Sequence, residues 1–222
     1  MPAMPWRSAA NPSRVIRAGG RPMTERSPAD FLFEARFLKA IPRSGFAFLG
    51  AGRESVAEHV YLTTVVAFVL SVLVPHVDRN RLMFLCLFHD LPEARIGDLN
   101  SVQKPYHRPQ PERCLREMTE GLMFGGQLAE WISEFETGGT QEALLARDAD
   151  QIALILELKW LLDHGVADAG RWIDSVRLRV HTEAGRSLTD EILNTESDEW
   201  WWRIVRACNQ AKRLDHENEE AT

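Results

Sequence analysis

The chain has 222 residues, 45% of them hydrophobic, and a formal net charge of -6 with an isoelectric point near 5.7. That length supports one substantial hydrophobic core and is short for two catalytic domains. Residues 1–27 hold five arginines against Glu25 alone, so the remainder is more acidic than the average, which argues against a broad basic surface for a nucleic-acid polymer.

In chain order, residues 1–27 lack the continuous apolar core of a secretory signal and read as a flexible Arg-, Pro- and Gly-containing tail, with translation from Met23 as the reading for residues 1–22. From there helical periodicity dominates and strand alternation is nearly absent, so the expected fold is all-α, with one domain over residues 28–213 and a flexible acidic tail over 214–222. A first helix is expected at residues 27–40, with Pro28 in its first turn and Phe31, Leu32, Ala35, Phe37 and Leu38 as its apolar face; Pro42 ends it. Ser55 and Glu58 have the spacing of a capping box for a second helix. Its apolar run from Val60 to Val74, broken by Thr63, Thr64 and Ser71, is too short to span a membrane and is expected to be buried. Asp78 can cap a third helix carrying Leu82, Leu85 and His89, which Pro92 must kink or restart. Residues 97–111 form a polar loop long enough to wall a pocket.

Further helices are expected at 111–124 and 127–136, at 140–164 and at 167–193. A last one carries Trp200, Trp201 and Trp202. Those three rings diverge by about 100° per residue, so a single three-ring stack is not expected, and packing or an oligomer contact is. Cys86, Cys114 and Cys208 have no CxxC spacing and fall in helical patterns, as reduced thiols of a cytoplasmic protein do.

The chemistry gathers in three stretches. His59 shares a helical face with Leu62, Val66, Leu70 and Leu73, and His89 follows Leu82 and Leu85, so both imidazoles are expected to point inward. The stretch HDLPEARIGD (89–98) adds Asp90, Glu93 and Asp98, and ARDADQIALILE (146–157) adds Asp148 and Asp150, between which periodicity does not choose. Inward carboxylates without a cation would be uncompensated, whereas a divalent ion neutralises them. Two imidazoles and two carboxylates suit one first-row ion, cobalt, manganese, iron, nickel or zinc, better than magnesium, calcium or a thiolate site.

His59, His89-Asp90 and a later Asp resemble the H…HD…D signature of HD-domain phosphohydrolases over residues 30–165. IPRSGF (41–46), ESVAEH (54–59), HDLPE with GD (89–98) and RDADQIALILE (147–157) resemble its branch of small deoxynucleoside 5'-monophosphatases. The resemblance implies an HD helical bundle, a homodimer, and hydrolysis of nucleoside 5'-monophosphates, deoxynucleotides in particular. Because the last Asp of the DAD-like stretch is the ligand in that branch, it selects Asp150, giving His59, His89, Asp90 and Asp150 as the metal set. It also implies that Glu93 orients or deprotonates the attacking water, Arg43 holds the phosphate and Asp98 lines the nucleotide site. Ser44, Phe46, Ser101 and Lys104 are the further expected substrate contacts, with Tyr106 and His107 nearby. Phe46 stands where relatives often carry Trp in an RxGW pattern; the missing indole donor bears on the choice between deoxyribose and ribose. Two other readings stay open: an HD pyrophosphohydrolase or phosphodiesterase acting on another nucleotide, and a non-catalytic nucleotide-binding scaffold that keeps its metal structurally. The HDxxED arrangement of guanosine-polyphosphate hydrolases is absent, since Ala94 follows Glu93.

Overall fold

A computed structural model describes residues 26–107 and 110–220, with side chains to residue 211. The chain forms α1 (Pro28–Phe37), α2 (Phe46–Leu49), α3 (Val56–Leu73), α4 (Arg79–Phe88), α5 (Glu93–Ile96), α6 (Pro111–Thr119), α7 (Gly125–Thr137), α8 (Gln141–Asp163), α9 (Ala169–Arg177), α10 (Glu183–Leu193) and α11 (Glu199–Glu220). Among the described residues there is no strand, only an isolated antiparallel bridge between Pro42 and Ser55, so the fold is all-α as expected. The expected N-terminal tail falls almost wholly outside the described residues. At the other end the backbone of α11 stays helical past residue 214.

The helix starts follow local chemistry. Ser27 and Asp30 close a capping box on α1, Ser55 and Glu58 another on α3, and Asp78 accepts from the Arg81 amide at the head of α4. Pro92 separates α4 from α5, so the HD pair sits on the turn where one helix ends and a short one restarts.

Helices α3, α4 and α8 pack on one another at the centre, and α9 lies on α8. One buried cluster joins Val66, Ala67 and Leu70 of α3 with Leu82, Leu85, Ile152, Ile155 and Leu158. A second joins Val56 and Val60 with Phe31, Leu91, Met118 and Ile132. Helix α3 serves both, and His59 and Thr63 on it are fully buried.

This two-sided role corrects the expectation of a buried α3. Its inward stripe is buried, but Tyr61, Val65, Phe68, Val69, Val72 and Leu73 face outward and are exposed. By length and composition alone α3 could cross a membrane; in the bundle 44% of it is buried. Two further expectations need revision. The pattern at 167–193 is two helices, α9 and α10, and the one at 111–124 stops at Thr119. The second reversal requires Gly125, where a Cβ would overlap the Thr119 carbonyl oxygen. The rings of Trp201 and Trp202 stack at 4.5 Å between centroids, because side-chain torsions can bring two neighbours together even though three consecutive positions cannot share a face.

Candidate metal centre and its cavity

Three elements deliver the ligands. His59 comes from the first turns of α3, His89 and Asp90 from the end of α4, and Asp150 from the middle of α8. His59 Nε2 lies 2.8 Å from Asp150 Oδ1 and 3.9 Å from Asp90 Oδ2. His89 Nε2 lies 3.1 Å from Asp90 Oδ2 and 3.9 Å from Asp150 Oδ1. Donor atoms of His59, His89 and Asp150 all fall within 4.8 Å of one another.

The donor atoms fit a divalent ion. His89 Nδ1 donates to the Cys86 carbonyl oxygen at 2.7 Å, which leaves the Nε2 lone pair free to coordinate. His89 Nε2 and Asp90 Oδ2 are buried 3.1 Å apart with no other hydrogen-bond partner among the described residues. Orphaned buried atoms aimed at one point are what a cation would satisfy.

Electrostatics agree. Burial works against charge on His89, but Asp90 and then Asp150 outweigh it and hold its pKa up at about 9. Burial likewise opposes ionisation of Asp90 and Asp150, yet both carboxyls are held below their usual range, Asp90 chiefly by His89 and Asp150 chiefly by His59. Protons on imidazole thus stand in for a cation, and a metal would displace them. The distal oxygen of Asp150 accepts from Gln151 Nε2 at 2.6 Å, which orients Oδ1 toward the histidines.

Beside this centre Arg43 is largely buried, with Nη1 3.7 Å from both Asp90 Oδ2 and Asp98 Oδ1. Burial alone would lower its pKa, but Asp90, Asp150, Asp98 and Glu93 raise it, so the guanidinium stays charged. Glu93 opens α5 with Oε2 buried and unpartnered; burial first, then Asp90 and Asp98, lift its pKa to about 9 against the pull of Arg43. A cation next to it would reverse that field. Asp98 also accepts from the Ser44 amide at 2.6 Å, tying the 97–107 loop to the Arg43 loop.

Arg43, Asp90, Glu93, Asp98 and Asp150 line a cavity of about 750 Å³, and His59 and His89 are not among its lining residues. Phe46, Ser101 and Lys104 are among its lining residues. Ser44 is not among the lining residues, because its hydroxyl accepts from Asn100 Nδ2 at 3.1 Å and serves the loop instead. Neither Tyr106, 86% exposed, nor His107 lines it. The opposite wall was not foreseen: Asp168, Arg171, Trp172, Ser175 and Arg179 come from α9 and its flanks. The Trp172 ring packs beside Gly45, so an indole borders the Arg43 loop although position 46 carries none. No local motif marks this wall, since only the docking of α9 on α8 brings it there.

Asp148, the alternative ligand, has another partner. It is fully buried and accepts from the His181 amide at 2.8 Å, the Thr182 amide at 2.8 Å and the Thr182 hydroxyl at 2.5 Å. This corrects the premise that a buried carboxylate on this helix requires a metal: the oxygens of Asp148 are hydrogen-bonded by the donors of the α9–α10 break. A Cβ on Gly185 would overlap its Oδ2, so glycine keeps the clamp open. Asp148→Ala is expected to cost roughly 3 kcal/mol by stranding two amides, while metal stoichiometry stays unchanged. Denaturant unfolding and metal analysis of the same sample check both halves; loss of metal from a folded variant would return Asp148 to the ligand set.

A helical bundle that gathers His59, His89 and Asp150, with Asp90 beside them and Arg43 largely buried next to Asp90, is a candidate divalent-metal centre. Residues 35–188 match the HD domain family, and the chain belongs to it. It is 30% identical over 155 residues to 5'-deoxynucleotidase HDDC2 of Bos taurus, covering 67% of this chain and 73% of the relative. It is 25% identical to 5'-deoxynucleotidase hdd1 of Schizosaccharomyces pombe, over 54% of this chain and 65% of that one. Its fold matches a conserved hypothetical protein from Pyrococcus furiosus with TM-score 0.64 at 21% identity, covering 75% of this chain and 99% of that chain. A predicted metal-dependent phosphohydrolase from Magnetospirillum magnetotacticum matches with TM-score 0.60 at 19% identity, over 75% and 89%.

Proposed function

We propose that the protein hydrolyses deoxynucleoside 5'-monophosphates to nucleoside and inorganic phosphate, with one divalent transition ion from the set cobalt, manganese, iron, nickel and zinc. The observation that carries this reading is the placement of Arg43 and Glu93 on the cavity floor against the four-residue donor set, which offers a charge for phosphate and a base for water within one site. The 5'-deoxynucleotidase relatives support the substrate class.

A divalent ion held by His59, His89, Asp90 and Asp150 supplies polarisation of a phosphoryl oxygen and a more acidic water. Arg43 would bind the non-bridging phosphate oxygens and hold the phosphorus so that the attacking water stands opposite the departing 5'-oxygen. Glu93 would take a proton from the attacking water and release it to solvent, while the departing 5'-oxygen takes its proton from water in the cavity. The bond from water oxygen to phosphorus forms as the bond from phosphorus to the 5'-oxygen breaks. The loop of Asp98, Asn100, Ser101 and Lys104 and the α9 wall enclose sugar and base.

The deciding experiment presents metal-reconstituted protein with ribo- and deoxynucleoside mono-, di- and triphosphates. Phosphate released from the deoxy monophosphates alone is the expected result. Pyrophosphate released from the triphosphates would transfer the site to the pyrophosphohydrolase reading, hydrolysis of a cyclic nucleotide added to the panel would transfer it to the phosphodiesterase reading, and metal binding without turnover would favour the scaffold.

The same reading includes a cytoplasmic homodimer. Its support is the exposed apolar stripe of α3, Tyr61, Val65, Phe68 and Val72, which one face of a second copy could cover. Sedimentation is expected to give twice the chain mass of 25.2 kDa, and Phe68→Glu to shift it to the monomer with the metal retained.

A further inference from the structure

Glu54 lies just ahead of the α3 capping box and is only 5% exposed. Its Oε2 has no hydrogen-bond partner, and neither does Nδ1 of His59; the two unpartnered atoms face each other across 3.9 Å. The same Oε2 stands 3.8 Å from Nε of Arg43. The backbones are joined as well: the Arg43 amide donates to the Glu54 carbonyl at 2.9 Å, and the Val56 amide to the Ile41 carbonyl at 2.9 Å. The phosphate-binding loop and the start of the ligand helix are therefore clipped together at the residue whose carboxylate faces both functional side chains.

A carboxylate buried without donors is costly, so its burial here calls for a use. His59 Nε2 is turned toward Asp150 and the ligand cluster, which leaves Nδ1 to settle the tautomer. A proton on Nδ1 keeps the Nε2 lone pair free for a cation, and a carboxylate behind a ligating histidine both orients the ring and strengthens it as a donor. His89 meets the same need with the Cys86 carbonyl. For His59 the group positioned to do so is Glu54.

We propose that Glu54 is a positioning residue that accepts from His59 Nδ1 and Arg43 Nε together, coupling the metal ligand to the phosphate-binding cation. The inference rests on the metal-centre reading above. Closing the 3.9 and 3.8 Å separations to hydrogen bonds needs a shift of about 1 Å. An ion drawing on His59 from one side and a phosphate drawing on Arg43 from the other would each favour that closure, so each ligand should bind more tightly in the presence of the other.

The test measures Co²⁺ affinity by chelator competition, the visible spectrum of the Co²⁺ form, and the spectral response to inorganic phosphate, with no nucleotide present. Glu54→Gln is expected to weaken Co²⁺ binding by about 10- to 100-fold, to shift the visible band and to weaken the phosphate response, while the melting temperature of the metal-free protein stays close to wild type. Glu54→Asp keeps the charge but withdraws it by one methylene; it is read the same way, and decides the matter if the glutamine variant folds poorly. His59→Ala serves as the reference for a lost ligand. Wild-type affinity and spectrum in a Glu54 variant, with Co²⁺ lost from His59→Ala, would overturn the role of Glu54 alone. Co²⁺ retained by His59→Ala would overturn the metal centre and the inference with it.

Discussion

Glu93→Gln is expected to keep its metal and to lose turnover by about 10²-fold or more, the scale for removing a positioned acid/base group. Glu93 is the first residue of α5, after the Pro92 restart; its amide donates to the Asp90 carbonyl at 3.0 Å, which glutamine keeps, and its Oε2 has no hydrogen-bond partner among the described residues. Its Oε2 is buried and unpartnered, and it lines the cavity, so the carboxylate is held for something that enters. The amide has nearly the same shape but cannot take a proton from water. Metal content and kcat from phosphate release, measured on one preparation, separate the outcomes. Undiminished turnover in a fully loaded variant would take Glu93 out of the chemistry.

Arg43→Ala is expected to lower kcat/KM by about 10²-fold for every monophosphate, since losing charge-assisted hydrogen bonds to phosphate removes roughly 3 kcal/mol. The loss should be uniform across bases because the contact is to phosphate. A base-dependent loss would move Arg43 away from the phosphate. The same change has a second consequence. Arg43 lies within 3.8 Å of carboxylate oxygens from Glu54, Asp90 and Asp98. Without it those carboxylates repel more strongly, so the metal-free variant should lose more thermal stability than the loaded one, where a cation offsets the repulsion. Arg43→Lys restores charge but not the planar fork, and should recover the stability better than the activity.

Both predictions use residues legible from local sequence. Glu93 and Arg43 stand inside short motifs, and Pro28 in the first turn of α1 and the capping box at Ser55 mark where those helices begin. Asp148 and Asp150 show where such legibility stops. Both lie on α8 among apolar neighbours, so hydrophobic periodicity treats them alike. Two residues on a helix differ by about 200°, and which side holds donors depends on the helices packed there. The side of Asp150 meets His59 on α3 and His89 after α4, whereas that of Asp148 meets the amides of the α9–α10 break.

The sequence by itself determined the all-α class, the starts of α1, α3, α4 and α8, and the residue types from which an HD centre is built, because propensity, capping and hydrophobic spacing act within a few residues. Only the tertiary structure decided that Asp148 is a clamp, that α9 walls the cavity with Trp172 and Arg171, that Ser44 serves its loop, and that Glu54 stands behind His59 and beside Arg43. Those facts arise where segments distant in the chain meet. The energy of a buried charge is set by the donors that the fold places around it, which no local pattern encodes.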